Sequence, residues 1–268
     1  TDRNVAVEHA RACIEGRQGG AVVIEEYLDG PEVSLFGISD GKVIVPLSPA
    51  QDFKRVGDGD EGPNTGGMGA YTPLPWAPDG LVDEVHATVL QPMIDEMARR
   101  GIPFSGLLYA GLALTSRGIR VIEFNARFGD PETQVVLARL NSPLSQVMYL
   151  AATEQLDVMP ALEWKQESAV TVVMAAQGYP ESPVLGAVIS GVDHAEVHGA
   201  DVYHAGTAQS GGALVVNGGR VLSVTATGSD LSSARELVYA AVQHIEFAGA
   251  HNRSDIALKA ANGEVLVP

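Results

Sequence analysis

Apolar positions recur at helical spacing from Thr1 to Gly16, with Val5, Ala6, His9, Ala10, Ala12 and Cys13 on one side. The pattern predicts an opening helix with Asp2 as its cap and that side turned inward. Ala21 to Ile24 is a short apolar run that reads as a strand. Two alternating runs, Glu32 to Ile38 and Lys42 to Leu47, flank Ser39-Asp40-Gly41, and Asp-Gly between alternating segments signals a hairpin. The pattern then breaks from Ser48 to Pro78 into a long glycine-rich stretch, expected to be a loop that is either functional or disordered. Helical spacing returns from Asp79 to Arg100 through Leu81, Val85, Val89, Met93 and Met97, where Pro92 should kink or split the helix. Strands are predicted over Gly106 to Leu114 and Ile119 to Asn125. A helix should follow from Asp130, with Asp130 as cap and Pro131 in its first turn.

Around Leu156 to Gln166 the character changes, and a domain boundary is placed there, dividing residues 1–158 from 159–268. Beyond it, short β-rich runs at Ala169 to Ala176, Ala187 to Ile189, Ala213 to Val216 and Val221 to Ala226 alternate with turns. An amphipathic helix from Asp230 to about Phe247 follows. The fold class is α/β to α+β, with the second part small and β-rich.

Charge narrows the function. The 268 residues carry 17 Lys and Arg against 33 Asp and Glu, a formal charge of −16, which disfavours nucleic-acid and membrane-surface partners. A phosphate-bearing ligand must then be held by locally placed cations, backbone amides or a metal. The longest apolar stretch falls far short of the ~20 residues that span a bilayer, and no charged-then-apolar leader opens the chain. The single cysteine, Cys13, fits a reducing compartment, and a soluble, cytoplasmic protein is expected; flanked by Ala12 and Ile14, the thiol reads as a core filler. The seven histidines show no zinc-like spacing, and no Gly-x-Ser-x-Gly elbow occurs.

Three segments can carry chemistry. In Val121-Ile122-Glu123-Phe124-Asn125, strand alternation puts Glu123 and Asn125 on one face, and a carboxylate beside an amide oxygen supplies hard ligands of the kind Mg²⁺ takes. Arg127 adds a forked cation, and the helix start at Asp130-Pro131-Glu132-Thr133 adds free amides. The bland alternative is a solvent-facing strand edge. Gln51-Asp52-Phe53-Lys54-Arg55 and Gly62-Pro63-Asn64-Thr65-Gly66-Gly67-Met68-Gly69 combine two cations with a backbone able to approach an anion closely; a plain flexible loop is the alternative. In Val22 to Glu32, an apolar run meeting paired carboxylates reads either as a hinge that contacts a base edge or as an ordinary strand end.

Together, Glu25-Glu26-Tyr27-Leu28-Asp29-Gly30, Gln51 to Arg55, Gly62 to Tyr71 and Ile122 to Gln134 closely resemble the phosphoribosylamine-glycine ligases, or glycinamide ribonucleotide synthetases, of the ATP-grasp family. The resemblance continues through Val202 to Thr207, Asn217 to Leu222 and Arg253 to Ile256. It implies an ATP-grasp core that is N-terminally incomplete and starts mid-domain, followed by the small C-terminal domain, so that the chain corresponds to roughly the C-terminal two-thirds of such a protein. It implies a ligase of de novo purine synthesis: ATP phosphorylates glycine, and the amine of 5-phosphoribosylamine attacks the acyl phosphate. By position, Glu25, Glu26, Tyr27 and Leu28 would line the adenine pocket, Glu32 would hold the ribose, and Arg55 and Asn64 would lie near the phosphates. Glu123 and Asn125 would hold Mg²⁺ or Mn²⁺. Asp52, Thr65, Gly66, Gly67, Met68, Asp130 and Glu132 would bind glycine and phosphoribosylamine, with Arg127 also acting catalytically on the transferred phosphoryl group. An ATP-grasp ligase for another carboxylate, or a non-catalytic nucleotide or sugar-phosphate binding module, are the competing readings. The run Phe247 to Asn252 departs from the family's more aromatic pattern.

Overall fold

A computed structural model describes residues 3–15 and 21–268. The predicted hairpin is present: β1 (Glu32–Asp40) pairs antiparallel with β2 (Ile44–Pro46), and Gly41 at its tip has φ +95°, a value that suits glycine. Asp40 locks the turn by accepting the amides of Lys42 and Val43 at 2.9 and 2.8 Å. β1 also pairs along its whole length with β7 (Ser105–Thr115), which pairs in turn with β8 (Gly118–Asn125), giving an antiparallel sheet in the order β2-β1-β7-β8.

Both faces of that sheet are buried, and the two-residue period shows how. Val33 and Leu35 of β1, with Leu108, Ala110 and Leu112 of β7, join a core with Leu81, Val85, Leu90 and Ile94. Phe36, Ile38, Leu107 and Tyr109 face the other way, toward Val135, Val136, Val147 and Ala151. One face is therefore covered by the segment of α2 (Leu81–Val85), a π-helical turn (His86–Leu90) and α3 (Gln91–Arg99); the other by α4 (Glu132–Arg139) and α5 (Leu144–Ala152). The π turn sits just ahead of Pro92, which has no N–H to offer the carbonyl four residues back, so the helix is split as its sequence predicts.

A second antiparallel sheet runs in the order β10-β13-β9-β6-β3, with β3 (Gln51–Asp52), β6 (Gly69–Thr72), β9 (Ser168–Ala175), β10 (Asp201–His204) and β13 (Arg220–Gly228). All eight residues of β9 are buried. After the short α6 (Val192–Val197), α7 (Leu231–Val242) packs on this sheet through Leu231, Ala234, Val238 and Ala241, and Asp230 caps it by accepting the Ser233 amide at 2.7 Å. The boundary expected at 158/159 follows a 3₁₀ turn at Leu156–Val158, and the five-stranded sheet takes strands from both sides of it.

Several expectations are corrected. The stretch 48–78 is not a structureless loop: besides β3 and β6 it contains the ribbon of β4 (Arg55–Gly57) and β5 (Glu61–Asn64), strands too short to show a period. Residues 21–29 form no strand, and Val23, Ile24 and Tyr27 are exposed. The opening helix, α1 (Arg3–Glu15), has the expected period but buries none of its residues, so the predicted inner face looks outward and Cys13 is exposed rather than a core filler. The predicted cap Asp2 and the predicted helix end at Gly16 lie outside the described residues. Ala187 to Ile189 contributes an isolated bridge, Val188 to Val215, instead of a strand, while β11 (Thr207–Ser210) and β12 (Ala213–Val216) form a separate ribbon. Asp130 does not cap α4: the residue at that position is Pro131 and no side chain bonds the first turn. No helix among the described residues is long and apolar enough to cross a membrane.

Candidate active site

The site forms where the end of β8, the start of α4, strand β3 and the glycine loop between β5 and β6 converge. A cavity of about 140 Å³ there is lined by Asp52, Lys54, Thr65, Gly66, Tyr109, Glu123, Arg127, Asp130 and Glu132. Asp52 and Lys54 also line a larger neighbouring cavity of about 560 Å³, with Glu32, Arg55, Asn64 and Tyr71. The two cavities thus share one wall, made by Asp52 at the end of β3 and by Lys54 just after it.

The glycine loop is tied to the segment that follows β3. The Thr65 amide and hydroxyl both donate to the Lys54 carbonyl, at 2.7 and 2.8 Å, and the Met68 amide donates to that of Phe53 at 2.8 Å. Gly67 has φ +114°, and a Cβ there would stand 2.4 Å from Cδ of Pro131, so only glycine lets the loop lie against the start of α4. The loop is therefore shaped, not slack.

Glu123 and Asn125 share a face of β8 as the alternation requires, and the Asn125 amide donates to Glu123 Oε1 at 3.0 Å. That contact leaves the Asn125 carbonyl oxygen and the second Glu123 oxygen as hard donors. Among the described residues no cluster of three or more His, Cys, Asp or Glu can hold a metal ion by itself. A cation at this pair would take further oxygens from its ligands, which suits a metal carried with phosphates.

Burial and the nearby Glu132 carboxylate push the Asp52 carboxyl up to about 7, against the pull of Lys54. Burial opposes charging Lys54, but Asp52 and its ion pair with Glu32 more than offset this and hold the ammonium above its ordinary range. Burial also raises the Tyr109 phenol, with the Asp52 charge adding to it. Glu132 is 5% exposed and accepts the Ser34 hydroxyl at 3.1 Å. Beside it, Thr133 Oγ1 and Gln134 Oε1 are buried without a hydrogen-bond partner, so the first turn of α4 holds uncommitted polar groups.

Most residues singled out from sequence meet here. Asp52, Thr65, Gly66, Glu123, Arg127, Asp130 and Glu132 line the small cavity, and Glu32, Arg55 and Asn64 the larger. Asn125 reaches the site through Glu123. Met68 is fully buried under the loop, and Gly67 packs on Pro131. Glu25, Glu26, Tyr27 and Leu28 line neither cavity: Tyr27 is 88% exposed, and Glu26 pairs with Arg117 at 2.8 Å. Sequence reasoning missed Tyr109, Tyr179, Arg220, Lys259 and Glu264. Lys259 and Glu264 enter the wall of the larger cavity from the C-terminal end of the chain. Nothing local in the sequence marks these residues, because the site residues they join lie many tens of positions away.

The family model for the phosphoribosylglycinamide synthetase ATP-grasp (A) domain matches residues 1–133, and that for the phosphoribosylglycinamide synthetase C domain matches residues 169–259. The phosphoribosylamine–glycine ligase of Streptomyces coelicolor is 60% identical over 263 residues, covering 97% of this chain and 62% of that protein; the one from Mycobacterium leprae is 52% identical over 268 residues, again across 62% of its length. The chain thus spans somewhat less than two-thirds of these relatives. The crystal structure of a phosphoribosylamine–glycine ligase from Thermotoga maritima superposes with a TM-score of 0.85 at 32% identity, covering 96% of this chain and 64% of that one. The biotin carboxylase domain of a thermophilic 2-oxoglutarate carboxylase gives a TM-score of 0.67 at 14% identity over 99% of this chain and 60% of that one, a likeness of fold. With a match to each of its two domain models and relatives in agreement along the whole length, the chain belongs to the phosphoribosylglycinamide synthetase family.

Proposed function

We propose that the protein containing this chain is an ATP-dependent ligase that joins glycine to 5-phosphoribosylamine through a glycyl phosphate, giving glycinamide ribonucleotide, ADP and phosphate. The observation that carries this reading is the small cavity, where Glu123, Arg127, Thr65, Gly66, Asp52 and Glu132 come together from segments far apart in the chain. The division of the chain near 158/159 is kept as part of the same proposal, supported by the positions of the two domain-model matches on either side of it.

The chemistry asks for positioning and charge. A glycine carboxylate oxygen attacks the γ-phosphorus and ADP leaves; the amine then attacks the acyl carbon and phosphate leaves. No protein nucleophile is required. Glu123 and Asn125 would hold a divalent ion, Mg²⁺ or Mn²⁺, which would supply positive charge to the phosphate oxygens. Arg127, at the mouth of the cavity, offers a forked guanidinium to the transferred phosphoryl group. Glu32 holds the ribose, while Arg55 and Asn64 face the phosphates in the larger cavity. Asp52, with its carboxyl near neutrality, is suited to take up a proton from the attacking amine. Asp130, Glu132 and the Thr65 to Met68 loop shape the pocket for glycine and phosphoribosylamine.

The test is phosphate release from ATP by the full-length gene product with glycine and phosphoribosylamine. Release that does not depend on glycine would sink the reading. Glu123→Ala should lower metal-dependent turnover by about two orders of magnitude or more while the circular dichroism spectrum stays unchanged. Wild-type turnover in that variant would remove Glu123 from the metal site.

A further inference from the structure

Arg220 opens β13, 154 residues from the glycine loop it touches. Its backbone is fixed: the Arg220 carbonyl accepts the Gly206 amide at 2.9 Å, and the register between β13 and β9 shifts from the Arg220–Ala175 pair to the Leu222–Met174 pair. A bulge of this kind re-aims a side chain relative to regular alternation. The guanidinium leaves the second sheet and enters the junction of loop and helix. Nη1 donates to the carbonyls of Gly66 at 2.8 Å and Asp130 at 2.6 Å, and Nη2 faces Asp130 Oδ2 at 3.3 Å.

Two features show that this contact is built. A Cβ on Gly66 would stand 2.9 Å from Arg220 Cζ, so the flat guanidinium packs directly against the bare face of this glycine. Tyr179, also from the region after the boundary, accepts the Gly66 amide at 3.0 Å. Gly66 is thereby held at both its N–H and its C=O by side chains of the C-terminal region. Gly66 and Asp130, the two residues Arg220 ties together, both line the small cavity.

We propose that Arg220, backed by Tyr179, is a positioning residue for the substrate cavity: it sets the spacing between the glycine loop and the start of α4, and so sets affinity for glycine and phosphoribosylamine while leaving that for ATP alone. The assignment to those substrates rests on the proposed ligase reading. The contact has a fork geometry, one planar group bridging two carbonyls and a carboxylate, which the single ammonium of lysine does not reproduce.

The experiment uses the full-length protein with Arg220→Met, Arg220→Lys and Tyr179→Phe. Hydrogen exchange followed by mass spectrometry over residues 62–69 should quicken in all three, most in Arg220→Met. KM for glycine and for phosphoribosylamine should rise about tenfold in Arg220→Met, with KM for ATP within about twofold of wild type; Arg220→Lys should fall between. Unchanged exchange in the loop, an equal rise in all three KM values, or loss of the folding transition in every variant would overturn the positioning role. If the wild type shows no glycine-dependent turnover, the ligase reading fails, and the exchange comparison alone decides whether Arg220 holds the loop.

Discussion

α4 and α7 both begin just after an aspartate, yet the two aspartates do different work. Asp230 spends its carboxylate on the Ser233 amide and caps α7. Asp130 does not cap the backbone of α4; it accepts from the Gln134 side chain at 3.1 Å and faces Arg220. The arginines divide in the same way. Arg253 is 1% exposed, lies 4.8 Å over the Phe53 ring, and pairs with Asp60 at 2.8 Å and Asp255 at 2.7 Å, so it anchors the β4–β5 ribbon. Arg220 is partly exposed and stands at a cavity. The first arginine serves the fold through partners that fix one ribbon; the second spends its contacts on residues of a cavity wall.

The largest expected effect breaks the first class. Arg253→Met leaves Asp255 without its partner and should lower stability by about 3 kcal/mol in urea unfolding; a loss below about 1 kcal/mol would show that the ribbon does not depend on it. Next comes Asp52, whose carboxyl sits at about 7 against an ordinary 3.8. The folded state binds that proton more tightly than the unfolded chain, so stability falls as pH rises from about 4 to about 7, and the deficit is complete above that. Asp52→Asn should therefore be more stable than wild type at pH 8, by up to about 2 kcal/mol, and the gain should vanish toward pH 4. An equal gain at both pH values would contradict the burial argument. Asp230→Ala removes the cap of α7 and should lower the urea midpoint with no change in any KM. Asp130→Asn, the smallest change in stability, should cost less than about 1 kcal/mol but raise KM for glycine. If Asp130→Asn destabilised as much as Asp230→Ala without touching KM, the distinction between the two helix starts would collapse.

Much of this arrangement was legible in the sequence. β1, β2, β7, β8 and α7 follow from local period and turn chemistry, and Glu123, Arg127, Asp52 and Thr65 were marked by residue type together with the family resemblance. What escaped was non-local. β3 and β6 are two and four residues long and pair with distant strands, while the short ribbon of β4 and β5 is held from far along the chain by Arg253. The period of α1 gave a helix but could not say what it faces, and Cys13 was misplaced with it. Asp130 has the chemistry of a cap, and only the arrival of Arg220 from β13 shows that it is used otherwise.

The pairing of β6 with β9, from Gly69 opposite Val172 to Thr72 opposite Ala169, carries a consequence for how the chain comes apart. A protease that nicks the segment 159–167 would cut the connection between the two halves but not their shared sheet. The halves should travel as one particle on a sizing column and separate only in denaturant. Gene fragments split at that point should find each other by completing a sheet, which makes the segment a candidate site for reassembling the protein from two chains.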